Sequence, residues 1–152
     1  MSKSAPYIWI KSPAILDAMS IFSPIIIGNH TMLFFVPLII SQWEMSERTE
    51  RHEAIHVWQQ IECAAVASLL APILAFFISP LAGLISLVLA WAPYGFLFWL
   101  LYLASYFWNR IILGQDGEQA YRNIIFEKEA YEKAPNIGYI DSRPWFAWAN
   151  LK

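Results

Sequence analysis

The chain has 152 residues, room for a single domain. Hydrophobic residues make up 58%, aromatic residues 16% with eight Trp, and charged residues only 14%, far below the roughly 25% of ordinary soluble domains. That balance points to a membrane protein with lipid as a partner. The net charge of −2 leaves no basic footprint for nucleic acid. One cysteine, Cys63, excludes an internal disulfide and any C-x-x-C site.

Residues 1 to 17 are mixed, and no basic n-region followed by an apolar run marks a cleavable signal. Ser12-Pro13 reads as an N-cap with proline at the first helical position, opening a short helix to about Met19 at a membrane interface. From Ala18 to Trp43 there is no charge. Length alone permits a third span there. The Gly28-Asn29-His30-Thr31 interruption, between Ile25-Ile26-Ile27 and Met32 to Val36, favours a β-hairpin or edge strand against the next helix. His30 is a further metal-ligand candidate, although a histidine in such a turn is more often a hydrogen-bonded structural residue.

Ser46 is a good N-cap with Glu47 in the first turn. The helix it opens contains His52-Glu53-Ala54-Ile55-His56, an H-E-x-x-H motif. The i, i+4 spacing stacks His52 and His56 one turn apart on one face, where both can bind one tetrahedral Zn²⁺. Glu53 then lies beside the open coordination position, placed to take a proton from water. Two histidines and a base also describe a merely solvated helix face, so the reading requires a third ligand.

Cys63 to Asn109 is a run of 47 residues without Asp, Glu, Lys or Arg. As helix it extends about 70 Å, two crossings of a roughly 30 Å hydrocarbon core. Ser79-Pro80 with Gly83 is the expected turn, because a break at Pro93-Tyr94-Gly95 leaves the second segment too short. The expectation is a transmembrane hairpin over about 63–108, crossing to Ile78 and back from Leu84 to Phe107. Such a hairpin returns the chain to the side of His52. All ten Lys and Arg lie outside it, which places the polar portion in the cytoplasm by the positive-inside tendency.

A helix is expected from about Glu118 to Lys133. Ala120, Ile124, Glu127 and Tyr131 form one stripe on it, apolar except for Glu127. A carboxylate in a core-facing stripe needs a metal or a counter-charge such as Arg48, Arg51 or Arg122. Glu127 is therefore the third ligand, with Glu129, pointing about 200° away toward Arg122 and Lys133, as the fallback. Beyond Asn136, the i, i+3 tryptophans Trp145 and Trp148 are expected to lie on the membrane surface or to close over the metal helix.

H-E-x-x-H on one helix and R-x-x-x-x-E-x-E-A-Y on another resemble the gluzincin pattern of zinc metallopeptidases, in particular the membrane-bound HtpX and CAAX-prenyl-protease type. The resemblance implies a zincin-like active-site helix pair, a third zinc ligand at the first Glu of E-x-x-A-D, here Glu127, and peptide-bond hydrolysis of peptide or membrane-protein substrates. The family aspartate position holds Tyr131, whose hydroxyl can accept from a ligand imidazole or, like that of Tyr121, stabilise an oxyanion. The chain is also similar to small bacterial membrane-associated proteins sharing H-E-x-I-H-x-x-Q-Q and Y-R-N-x-x-F-E-x-E-A-Y-E over residues 30–60 and 118–150, a likeness that assigns no reaction. The fold expected is mainly α, with a short β-hairpin or edge strand and the transmembrane helical hairpin. Two alternatives stand beside the hydrolase. One is a non-catalytic membrane protein with a structural or degenerate metal site. The other is a di-iron carboxylate protein, since Glu53-x-x-His56 matches half of that motif but Glu127 and Glu129 have no histidine at i+3.

Overall fold

The computed structural model describes residues 7–12, 30–34, 36–41, 44–91 and 95–150. The protein is mainly helical, with a small sheet of β1 (Ile8–Lys11), β2 (His30–Phe34) and β3 (Val36–Ser41). The order is β1-β3-β2, β1 parallel and β2 antiparallel to the central β3. The expected strand after the Gly-Asn turn is β2, but its partner among the described residues is β3. Ile25–Ile27, the turn at 28–29 and the helix expected near 13–19 lie outside the described residues. The Tyr7 hydroxyl donates to Glu50 Oε1 at 2.7 Å, tying the approach to β1 to the first helix.

That helix, α1 (Glu47–Ser68), starts at the expected cap: Thr49 N donates to Ser46 Oγ at 3.2 Å. Glu53 through Val57, Gln59, Gln60 and Glu62 through Ala64 are all buried, so α1 is enclosed on nearly every side. Its apolar continuation, α2 (Leu70–Phe77), is offset at Leu69. Pro72 explains the offset, because it lacks the N–H that would bond the Ser68 carbonyl and its ring crowds that oxygen. Along this one path the usual order is inverted. The polar half is buried, while Leu69, Phe76, Phe77 and Ile78 are between 69% and 80% exposed. Water disfavours such a surface and hydrocarbon does not. Glu47–Phe77 is one helix long and apolar enough to cross a membrane.

The chain reverses where Ser-Pro predicts. Ala82 N donates to Ser79 Oγ at 3.1 Å, and Pro80 opens α3 (Pro80–Ala90). Gly83 allows α3 to lie against α2: a Cβ placed there would be 2.6 Å from Ala75 Cβ and 2.7 Å from the Ala71 carbonyl oxygen. Trp91 Nε1 donates to Ser68 Oγ at 2.9 Å at the hairpin's other end.

The expected continuous return from Leu84 to Phe107 is not continuous. It consists of α3 and α4 (Phe96–Phe107), separated at Gly95, whose φ of 61° favours glycine. Residues 92–94 lie outside the described residues. The break rejected on grounds of membrane length therefore exists alongside the one at Ser79-Pro80. Local backbone chemistry at Gly95 prevails over the length argument.

After α4 come a π-helical turn (Trp108–Ile112), α5 (Gly117–Arg122), α6 (Ile125–Lys133), α7 (Tyr139–Ser142) and a 3₁₀ turn (Ala147–Asn150). The single helix expected over 118–133 is thus two, with extended backbone at Ile124 (ψ 133°) between them. Cys63, Phe98, Ile124 and Phe126 form a core cluster joining α1, α4 and α6. Cys63 is the small buried packing residue its isolation suggested.

Candidate metal centre

His52, His56 and Glu127 come together between α1 and α6 as a group that can hold a metal ion. His52 Nε2 lies 3.2 Å from His56 Nε2 and 3.3 Å from Glu127 Oε2, and His56 Nε2 lies 3.4 Å from Glu127 Oε1. The two histidines face different oxygens of Glu127; taking one ligand atom from each residue, all three lie within 4.8 Å of one another, close enough to converge on a single ion. Glu127 is 3% exposed, and its buried Oε2 has no hydrogen-bond donor. An acceptor without a donor is costly in a dry site and is satisfied by a cation. Burial alone would raise the Glu127 carboxyl pKa, but His56 and His52 together hold it below the usual carboxylate range.

Two of the three arginines named as alternative partners for Glu127 are engaged elsewhere. Arg51 donates to the Ala134 carbonyl at 2.8 Å and pairs with Glu47, while Arg122 pairs with Glu118 at 3.1 Å.

Three features of the site go beyond the sequence reading. Tyr102 of α4 donates its hydroxyl to Glu127 Oε1 at 2.9 Å, and Phe98 packs edge-on to His56 with ring centroids 6.4 Å apart. Nothing local in the sequence distinguishes Tyr102 from Tyr106, since both lie in the same uncharged aromatic-rich run. The second is Gln59, fully buried, whose Oε1 lies 2.7 Å from His56 Nδ1. Its Nε2 donates to the Phe126 carbonyl at 3.1 Å and to Glu129 Oε2 at 2.9 Å. A polar side chain one turn after the second histidine of the motif is the signal that could have found it.

The third is Glu129, and here the sequence expectation is corrected. Glu129 does not face solvent with Arg122 and Lys133; it is fully buried. Arg143 grips both its oxygens, at 2.6 Å from Nε and 3.1 Å from Nη2, and Tyr139 donates to Oε1 at 2.9 Å. Arg143 also bridges both oxygens of Glu62. Phe146 N and Trp148 Nε1 complete that carboxylate at 2.9 and 2.8 Å. Burial works against the Arg143 charge, and the two carboxylates more than restore it. A stripe argument allows one buried face. α6 has two, because α1 covers one and the chain around Arg143 covers the other. Glu129 is thereby committed to an arginine, leaving it no place as fallback ligand.

Glu53 is buried, with its charge felt by both His56 and Tyr131. Tyr131 meets His52 ring to ring, edge-on with centroids 4.7 Å apart, and Tyr121 lies 6.5 Å beyond it. Burial and the Glu127 charge push both hydroxyls' pKa upward. His30 begins β2, and its side chain is not among those described. Trp145 lies 6.1 Å from Trp58 and Trp148 reaches Glu62, so the tryptophan pair closes over α1. Compared with protein-family models, curated proteins and solved structures, the chain finds no match.

Proposed function

We propose that this chain is a membrane-anchored zinc-dependent hydrolase acting on peptide bonds near the membrane surface. One observation carries the reading: two imidazole nitrogens gathered with a buried carboxylate whose Oε2 lacks a hydrogen-bond donor, and a second buried carboxylate next in sequence to the first imidazole. The motif pair that resembles the gluzincins supports the same assignment. His52, His56 and Glu127 would hold Zn²⁺, which supplies Lewis-acid polarisation of a carbonyl and acidification of water.

The chain's own residues divide the remaining work. Glu53 takes the proton from the attacking water and returns it to the leaving amine. Tyr102 holds the Glu127 carboxylate in place through Oε1. Tyr121 and Tyr131 are 38% and 37% exposed and remain protonated, which suits them to donate to a developing oxyanion. The α2–α3 hairpin and the outer face of α4 insert into lipid, keeping the metal centre on one side, which we read as cytoplasmic.

The test is metal content and turnover on the same protein. Purified chain should carry one zinc. Glu53→Gln should keep that zinc and lose cleavage of fluorogenic peptides presented in detergent micelles. Zinc retained with no cleavage by the native chain would favour a structural metal site, and two irons per chain would favour the carboxylate-bundle alternative.

A further inference from the structure

We propose that the C-terminal segment, through Arg143, Glu129 and Gln59, fixes the tautomer of His56, so that metal affinity depends on a part of the chain that supplies no ligand. This rests on His56 being a ligand and identifies what positions it.

The chain of contacts leaves one arrangement. The Phe126 carbonyl and Glu129 Oε2 both only accept, at 3.1 and 2.9 Å from Gln59 Nε2. The Gln59 amide must therefore turn its NH₂ toward them and its oxygen toward His56. At 2.7 Å from that oxygen, His56 Nδ1 carries the proton. Nε2, the atom facing His52 and Glu127, is then the nitrogen that can give its lone pair to a metal. Glu129 can impose this only if its own carboxylate is held, and Arg143 holds it by two hydrogen bonds while bridging to Glu62 on α1. Every member is buried, so water cannot replace a missing link. Zinc sites commonly orient a ligand histidine with a carboxylate on another element. Here the immediate partner is an amide one turn along the same helix, and a carboxylate sets the direction of that amide.

The experiment uses the full chain in micelles, with ¹⁵N-labelled histidine and a chromophoric chelator competing for zinc. In metal-free native protein, at alkaline pH where His56 is neutral, long-range ¹H–¹⁵N spectra should show its single proton at Nδ1. Gln59→Leu and Glu129→Gln should each lose that fixed signature and bind zinc about 10–100-fold more weakly. Arg143→Lys keeps the charge but cannot grip both carboxylates, and should weaken zinc in the same direction. The exchange variant Gln59→Glu with Glu129→Gln restores an obligate acceptor beside Nδ1 at unchanged net charge. It should recover the signature and most of the affinity, whereas purely structural damage from the two changes would accumulate. An unchanged His56 tautomer and native zinc affinity in Glu129→Gln and Gln59→Leu overturn the proposal. If Glu127→Ala abolishes zinc in that same series, only the positioning role falls; if Glu127→Ala also retains it, the metal reading itself falls.

Discussion

Replacing Gly83 by alanine tests the helical hairpin directly. A Cβ at this position would meet Ala75 Cβ at 2.6 Å and the Ala71 carbonyl oxygen at 2.7 Å, where ordinary contact begins near 3.4 Å. Neither neighbour has a flexible end that can swing aside, so α2 and α3 must part by about 0.8 Å, the difference between 3.4 and 2.6 Å. Overpacking of this kind costs about 1–3 kcal/mol, and alanine's better helix propensity returns only about 1 kcal/mol. The net is a loss of up to ~2 kcal/mol, or a fall of up to about 8 °C in thermal midpoint for a chain of this size. Gly117→Ala is the internal control. Its nearest contact is the Tyr106 hydroxyl at 3.9 Å, so only the propensity gain remains. Thermal unfolding in mild detergent should therefore move in opposite directions for the two variants. A Gly83→Ala midpoint that rises like that of Gly117→Ala would refute close packing of α2 on α3.

Other expectations follow from the same contacts. Equilibrium dialysis should show that Glu127→Ala, His52→Ala and His56→Ala each lose stoichiometric zinc. Tyr102→Phe leaves Glu127 Oε1 without its hydroxyl donor, so zinc should bind about 10-fold more weakly at unchanged stoichiometry, as chelator competition can measure. Ser46→Ala removes the N-cap of α1 and should cost about 1 kcal/mol in denaturant unfolding, with zinc binding intact. Cysteines introduced at the exposed Glu44 and at Gly117 in a Cys63→Ala background should react with an impermeant thiol reagent from the same side of sealed vesicles. Labelling from opposite sides counts against a hairpin that returns to its starting face.

The candidate metal site is legible in the sequence to the extent that its information is local. His52 and His56 follow from spacing alone. Glu127 followed from being the one charge in an apolar stripe, and the stripe survives although its helix is interrupted at Ile124. What failed was the inference about Glu129, because an element covered on two faces carries no sequence mark of the second cover. That cover comes from Arg143, 14 residues away around a bend. Tyr102 was hidden for a similar reason: one aromatic among many acquires its role only when α4 packs against α6. The parallel pairing of β1 with β3 joins residues about thirty positions apart. Alternation along so short a strand cannot announce it. A break at Gly95 is also visible in the sequence; the membrane-length argument against it is a weaker constraint than a positive φ.

The order of elements couples the apolar hairpin to the metal centre. α1 carries both histidines and runs directly into the hairpin, whose return strand of helix brings Phe98 against His56 and Tyr102 against Glu127. Glu62 is the last charge before the uncharged run, fully buried at the junction of the two halves. A carboxylate there is tolerable only because Arg143 arrives from the far end of the chain, with Trp148 and the Phe146 amide supplying further donors. The same arginine holds Glu129, which directs Gln59. The closed C-terminal segment thus neutralises the fully buried Glu62 and, by the positioning role proposed above, orients the His56 imidazole. An ion bound by His52, His56 and Glu127 would stabilise that closure in turn, since ligand binding to the folded state alone favours every contact the folded state requires.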